Sequence, residues 1–271
     1  ELINHGGEEG LALPVHPRQA PQHEAQRPQV GKVIQNTAFQ RIGLLSFGGF
    51  LRFFGRHGVR DLTWAGWIRK ETLFSVRGIL NHLPDLRALR FMLWRLPRMD
   101  RQSQTLLAAM VDEFEREGFR VRDSTSVCRD LLVEEGVLTA KGPTRKQLAD
   151  IAFGWRVAKR MADLDVGQSV AVRDRATIAV EGMEGTDRNI VRAGELCKRG
   201  FTVVKLAMDG HDMRFDVPTI GPQTVETLKT AGGAVLAVEA GKTIVLQRAE
   251  TIALADRFGI VLVALSRPPE T

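Results

Sequence analysis

Asp216 and Thr219 stand just ahead of Gly221-Pro222, and the run from Gln223 to Ala231 that follows reads as a helix. Proline suits the first helical position, where its missing N–H costs nothing, and Gly232-Gly233 closes the run as a C-cap would. A carboxylate and a hydroxyl therefore precede a helix N-terminus, whose free N–H groups and positive dipole end favour an anion. A carboxylate beside such an anion calls for a metal ion between them. A capped loop with an acidic turn residue accounts for the same letters, and both readings stay open. The loop Glu181-Gly182-Met183-Glu184-Gly185-Thr186-Asp187 repeats the pattern. Thr186 is the expected N-cap of a helix to Leu196, with Asp187 in its first turn. Glu184 and Asp187 read either as metal-binding carboxylates or as turn and capping residues. His211, next to Asp212, is discounted as a lone exposed loop histidine.

The chemistry such groups support is metal-assisted displacement at phosphorus. Carboxylates hold a hard divalent ion, which bridges phosphate oxygens and activates water. Helix N-termini with a basic side chain such as Arg214 or Lys205 neutralise developing charge. Nucleophilic serine catalysis is not indicated, since no G-x-S-x-G elbow occurs. Gly241-Lys242-Thr243 suggests a phosphate loop, but Leu236 occupies the place of the earlier glycine and a strand follows.

The elements that must position these groups follow from periodicity. Residues 144–163 form a long helix with Leu148, Ile151, Ala152, Trp155, Ala158 and Met161 on its buried side. Strands are expected at 169–172, 177–181, 202–207, 234–240, 243–246 and 260–264, with a helix at 249–258. This is a compact mixed α/β domain over 144–271, the catalytic one. The linker is placed at 134–143. Before it, 32–138 reads as an N-terminal α/β domain: a helix over 47–58, a strand over 59–65 ended by Gly66, a helix over 105–118 and a strand over 119–121. Residues 1–31, rich in Gly, Pro, Gln and His, read as loose. Between 83 and 95, Leu86, Leu89, Phe91, Met92, Leu93 and Trp94 interleave with Arg87, Arg90 and Arg95. That mixture suits either an interfacial helix on anionic lipid or a packed helix with snorkelling arginines.

The bulk numbers narrow the class. A chain of 271 residues with 44% hydrophobic residues is enough for two folded domains. No apolar run approaches the ~18 to 20 residues of a membrane span, and the start shows no secretory pattern. Cys128 and Cys197 lack zinc or disulfide spacing, which fits a cytoplasmic setting. A net charge of +6 favours anionic partners.

Several segments together resemble the LpxI-type UDP-2,3-diacylglucosamine pyrophosphatases of lipid A biosynthesis. They are Asp165-Val166-Gly167-Gln168-Ser169-Val170, Val180-Glu181 with Glu184-Gly185-Thr186-Asp187, Asp212 through Gly221, and Val238-Glu239-Ala240-Gly241-Lys242-Thr243. Ala65-Gly66 and Val111-Asp112-Glu113-Phe114 are weaker points of likeness. The resemblance implies two α/β domains, the first Rossmann-like and partly degenerate, with a ligand cleft between them. It implies hydrolysis of UDP-2,3-diacylglucosamine to UMP and 2,3-diacylglucosamine 1-phosphate, with Mg²⁺ or Mn²⁺ and water attacking the sugar-side phosphorus. Asp216 matches the family's essential carboxylate. Arg214 and Thr219 join it as catalytic candidates; Glu184, Asp187 and Asp212 join it as metal candidates. Gly66, Gly185, Thr186, Lys205 and Gly221 are the substrate-binding candidates. Cytoplasmic location, with peripheral contact at the inner membrane surface, is expected, and nucleic acid is not. Two departures stand out: the opening strand and glycine turn before Leu13-Pro14 are missing, and Ser103-Gln104 replace paired aspartates. They leave a non-catalytic UDP-sugar or lipid-binding homologue as the alternative.

Overall fold

The computed structural model describes residues 40, 42–43, 46–64, 84–95, 98, 103–208, 214 and 217–270. The chain divides into two compact units, Glu1–Arg122 and Asp123–Thr271.

The first unit is built on phenylalanine. Helix α1 (Phe47–Arg56) buries Phe47, Phe50, Phe53 and Phe54, spaced so that they share one side of the helix. Phe114, from α3 (Ser103–Arg116), meets Phe47 at 6.0 Å and Phe50 at 6.3 Å between ring centroids. Between those helices lies α2 (Leu86–Arg90), continued by a π-helical turn over Phe91–Arg95. Asp85 caps α2 by accepting from the Arg87 and Ala88 amides, and it also accepts from the Gly48 amide at 2.5 Å. Strands β1 (Asp61–Leu62) and β2 (Arg120–Val121) pair in parallel. The expected helices are present, and the two short strands pair side by side. The described strands are one short pair and give no order from which a Rossmann-like arrangement can be read. Gly66, the segment 1–31 and the Leu13-Pro14 region lie outside the described residues.

The second unit is a three-layer α/β/α domain. Its sheet runs β3-β10-β8-β6-β4-β5, formed by β3 (Gly136–Val137), β4 (Ser169–Arg173), β5 (Ala176–Val180), β6 (Thr202–Lys205), β8 (Val235–Glu239) and β10 (Val261–Leu265). The central strands β6, β8 and β10 are parallel; β3 and β4 are antiparallel to their neighbours. Side chains alternate along each strand. Val170, Val172, Val204, Val235, Ala237, Val261 and Val263 face α5 (Arg145–Asp163), which supplies Ile151, Trp155 and Ala158. Ala171, Val203, Leu236, Val238 and Leu262 face the other way, onto Ile190 and Ala193 of α6 (Thr186–Cys197), Val225 and Leu228 of α7 (Pro222–Ala231), and Ala255 of α8 (Arg248–Phe258). Burial on both faces explains why these strands read as unbroken apolar runs. A small parallel pair, β7 (Thr219–Ile220) with β9 (Ile244–Val245), lies ahead of α7 and α8.

Two features differ from the sequence reading. Thr186 is not the N-cap of α6: Gly185 is, at φ 85° and ψ 165°, backbone angles that essentially only glycine adopts. The division between units also falls before the expected 134–143 linker. Val137 and Gly136 pair with β10, and Leu132 bridges to Ile244, so this stretch completes the second unit's sheets. Thr144 caps α5 with a reciprocal capping box through Gln147, and α7 begins with Pro222 and ends on left-handed Gly232, as its sequence indicates.

Candidate active site

Parallel strands joined by helices send their connecting turns to one edge, where the strand carboxyl ends and the following helix N-termini meet. In the second unit this edge collects three of the four family-like segments and, at Thr219, the described end of the fourth. β5 ends at Val180 and leads through Gly185 into α6. β6 ends at Lys205 and β8 at Glu239. The start of the antiparallel β4 lies at the same edge, since Ser169 pairs with Lys205. The turn before β4 presses on the turn after β5: a Cβ on Gly167 would meet the Glu181 carbonyl oxygen at 2.2 Å. That contact explains the glycine in the Asp165-Val166-Gly167 segment.

Three charged side chains are buried or nearly so at this edge. Glu239 is 4% exposed. Its carboxylate accepts from Lys159 Nζ at 3.0 and 3.2 Å and from the Ala207 amide at 3.0 Å, and Lys242 Nζ lies 2.9 Å away. Lys159 donates as well to the Ala207 carbonyl at 3.2 Å. Lys205, 8% exposed, donates to the Thr219 carbonyl at 2.8 Å. Buried charges persist only when paired or hydrogen-bonded, and these bonds have a positional consequence. The chain that carries Asp212, Arg214 and Asp216 leaves the sheet at Ala207, gripped by Glu239 and Lys159. It returns at Thr219, gripped by Lys205. Both anchors lie at the carboxyl edge.

The candidates from the turn after β5 are found beside them. Asp187, in the first turn of α6, is half-buried; desolvation raises its pKa, opposed by the nearby positive charge of Lys205. Thr186 donates its hydroxyl to Glu181 at 3.1 Å. Glu184 accepts from the Gly182 amide at 3.0 Å, and Arg192 Nη2 lies 2.8 Å from its other oxygen, an ion-pair distance without hydrogen-bond alignment. Asn189 ties α6 to β4 by donating to Ser169 Oγ at 3.1 Å, while its own buried oxygen finds no partner. The Thr219 hydroxyl donates to the Val217 carbonyl at 3.1 Å, and Gly221 is the N-cap of α7. Arg214 sits half-buried in a turn. Asp212 and Asp216 lie outside the described residues.

The structure therefore brings Asp187, Lys205 and Thr219 together and sets Gly185, Thr186 and Gly221 at two helix starts. Among the described residues no group of three or more acidic, histidine or cysteine side chains is placed to hold a metal ion. Glu184 is held by Arg192, and the surroundings of Asp187 disfavour its ionised form. The described acids do not by themselves fit a divalent ion. Lys159 and Glu239 carry no role in the sequence reading, because nothing local connects residues 80 apart. The available signal was a lysine one place beyond Ala158, at the margin of α5's apolar stripe. The Gly241-Lys242-Thr243 run precedes β9, not a helix, in keeping with its rejection as a phosphate loop. No helix among the described residues is long and apolar enough to cross a membrane.

Comparison with known proteins also finds two domains, meeting between residues 131 and 134. A family model described as the LpxI N-terminal domain matches residues 19–131, and one described as the LpxI C-terminal domain matches residues 134–263. A Caulobacter vibrioides protein named UDP-2,3-diacylglucosamine pyrophosphatase LpxI is 28% identical over 232 residues, covering 83% of this chain and 81% of its own length. Two proteins named bifunctional purine biosynthesis protein PurH, from Anaeromyxobacter species, are each 29% identical over 145 residues. They cover 53% of this chain but only 24% of their own length, a local likeness.

Proposed function

The chain belongs to the LpxI family, carrying both of its domains in order, and on that premise we propose that it hydrolyses the pyrophosphate bond of UDP-2,3-diacylglucosamine. The products are UMP and 2,3-diacylglucosamine 1-phosphate, as a step of lipid A biosynthesis on the cytoplasmic side of the membrane. The observation that carries the placement of the reaction is Lys205: a buried ammonium at the carboxyl edge, beside the starts of α6 and α7.

A diphosphate brings two anionic phosphoryl groups into the site. The first-turn N–H groups of α6 and α7 lack intrahelical acceptors and can donate to its oxygens. Lys205 offsets charge that builds on the phosphorus being attacked, in a setting where water screens it little. Its bond to the Thr219 carbonyl fixes the ammonium instead of leaving it to swing. Lys242, drawn to Glu239, adds positive charge at the same edge. Burial raises the pKa of Asp187 against the pull of Lys205, and its carboxyl group stands beside this ammonium at the start of α6. A divalent ion, Mg²⁺ or Mn²⁺, belongs to the proposal through Asp212 and Asp216. Bound there, it would neutralise phosphate charge and acidify water.

The test is incubation with UDP-2,3-diacylglucosamine and Mg²⁺ in ¹⁸O-labelled water. The expected result is UMP without label and 2,3-diacylglucosamine 1-phosphate carrying it. No UMP, together with a substrate-induced rise in Tm, would show a binding-only homologue. Label in UMP would place the attack on the other phosphorus.

A further inference from the structure

The helical stretch Leu86–Arg95 presents its apolar side outward. Leu86 is 86%, Leu89 41%, Leu93 62% and Trp94 66% exposed; the leucines recur three and four residues apart, as one helix side does, and Trp94 adjoins Leu93. The opposite side is the packed one: Ala88 is fully buried and the Phe91 ring lies 5.7 Å from Phe47. Soluble proteins scatter single exposed leucines, but a continuous stripe of large apolar groups marks a docking surface.

The arginines around the stripe divide into two sets. Arg87 pairs with Glu117, and Arg95 lies 2.6 Å from Asp112 and 3.7 Å from Glu113. These two hold the stretch to α3 and its end. Arg90 is exposed on the stripe itself. Arg98, also exposed, donates to the Trp94 carbonyl, with its guanidinium 6.0 Å from the Trp94 ring. The outward face therefore combines leucine, tryptophan and arginine, while the acids Asp112, Glu113 and Glu117 are paired with Arg95 and Arg87.

We propose that this face is a membrane-docking surface, in which Leu86, Leu93 and Trp94 enter the headgroup boundary of a bilayer while Arg90 and Arg98 engage anionic phospholipid. Tryptophan and arginine suit that boundary because each carries an apolar body and a polar tip. Neighbouring phosphates suit arginine as bidentate acceptors. The chain's net charge of +6 adds long-range attraction to a negative surface. The inference stands on this surface alone and needs no particular reaction.

The experiment is sedimentation of the full chain with phosphatidylglycerol-containing vesicles and with pure phosphatidylcholine vesicles, in the absence of nucleotide sugar. Wild-type protein is expected to bind the anionic vesicles, less so as salt is raised, with a blue shift in fluorescence that Trp94→Phe removes. Replacing Leu86, Leu93 and Trp94 together by serine is expected to weaken binding at least about tenfold. The pair Arg90→Glu and Arg98→Glu should do the same, but only on anionic vesicles. All these side chains are exposed, so Tm should hold, and UMP release from detergent-dispersed substrate should persist in the variants. Unchanged binding by the serine variant overturns the proposal. So does a wild-type protein that ignores anionic vesicles, or a dimer that the serine variant abolishes, since the stripe would then face a second copy.

Discussion

The two units depart from ordinary burial in opposite directions. The second buries charge: Glu239 and Lys205 are sealed at the carboxyl edge of its sheet, and the polar side chains of Asn189, Thr202 and Thr243 are buried in the same unit. The first exposes bulk: Leu86, Leu93 and Trp94 stand in solvent around a well-packed phenylalanine core. Hydrophobic residues inside and polar ones outside need no explanation, so the exceptions carry the information. A buried ion pair gives little net stability over apolar packing; what it gives here is a fixed place for the chain on either side of Asp216. An exposed apolar stripe gives no stability to a chain alone in water, and its use lies in what covers it.

The largest effect should come from the polar edge. Asp216→Ala is expected to lower kcat by about a thousandfold, roughly 4 kcal/mol of activation free energy, with Tm little changed. Activity near wild type would remove Asp216 from the reaction. Next is Glu239→Ala, which leaves Lys159 without its carboxylate. A loss of about 3 kcal/mol in chemical denaturation is expected, the usual cost of breaking a buried pair from one side. The exposed pair Lys146–Asp174, at 2.5 Å, supplies the contrast. Lys146→Ala should cost far less than Glu239→Ala in the same measurement, and equal losses at the two places would erase the contrast between them. Leu93→Ser in the first unit should shift stability by only about 0.5 kcal/mol, whereas Phe50→Ala should cost about 3 kcal/mol or more.

The smallest effect concerns pH. The folded pKa of Asp187 is raised by desolvation, so the folded state holds its proton more tightly than the unfolded chain does. Any stability that follows is complete below the unfolded value and is lost as pH rises through the folded one. Asp187→Asn should therefore raise Tm slightly at pH 7, with the gain shrinking as pH falls toward 4. A gain that grows on acidification would mean that the carboxylate is stabilised by folding instead.

Much of the second unit could be read from its sequence. Its strands carry unbroken apolar runs, α5 keeps a helical stripe through Ile151, Trp155 and Ala158, and Pro222 and Gly232 mark the ends of α7. Local patterns determine these features. Thr186 was misplaced because a threonine before an acid usually caps a helix, while the positive φ of Gly185 takes that position here. Gly136–Val137 read as linker because they gain their partner only from β10, more than a hundred residues later in the chain. The grip of Glu239 on Lys159 and Ala207 was invisible for the same reason. In the first unit, the mixture of leucine and arginine was legible, but not the pairing of Arg87 and Arg95 with acids of α3 and its end, which are distant in the chain.

Lys205 offers the most direct trial of the proposed site. UMP release from UDP-2,3-diacylglucosamine would be measured for wild type and for Lys205→Met, which keeps the length of the buried stem and removes its charge. Wild type is expected to turn over, and the variant to lose at least about a hundredfold in kcat/KM while still unfolding cooperatively. A variant as fast as wild type would show that the diphosphate is cut somewhere other than this edge of the sheet.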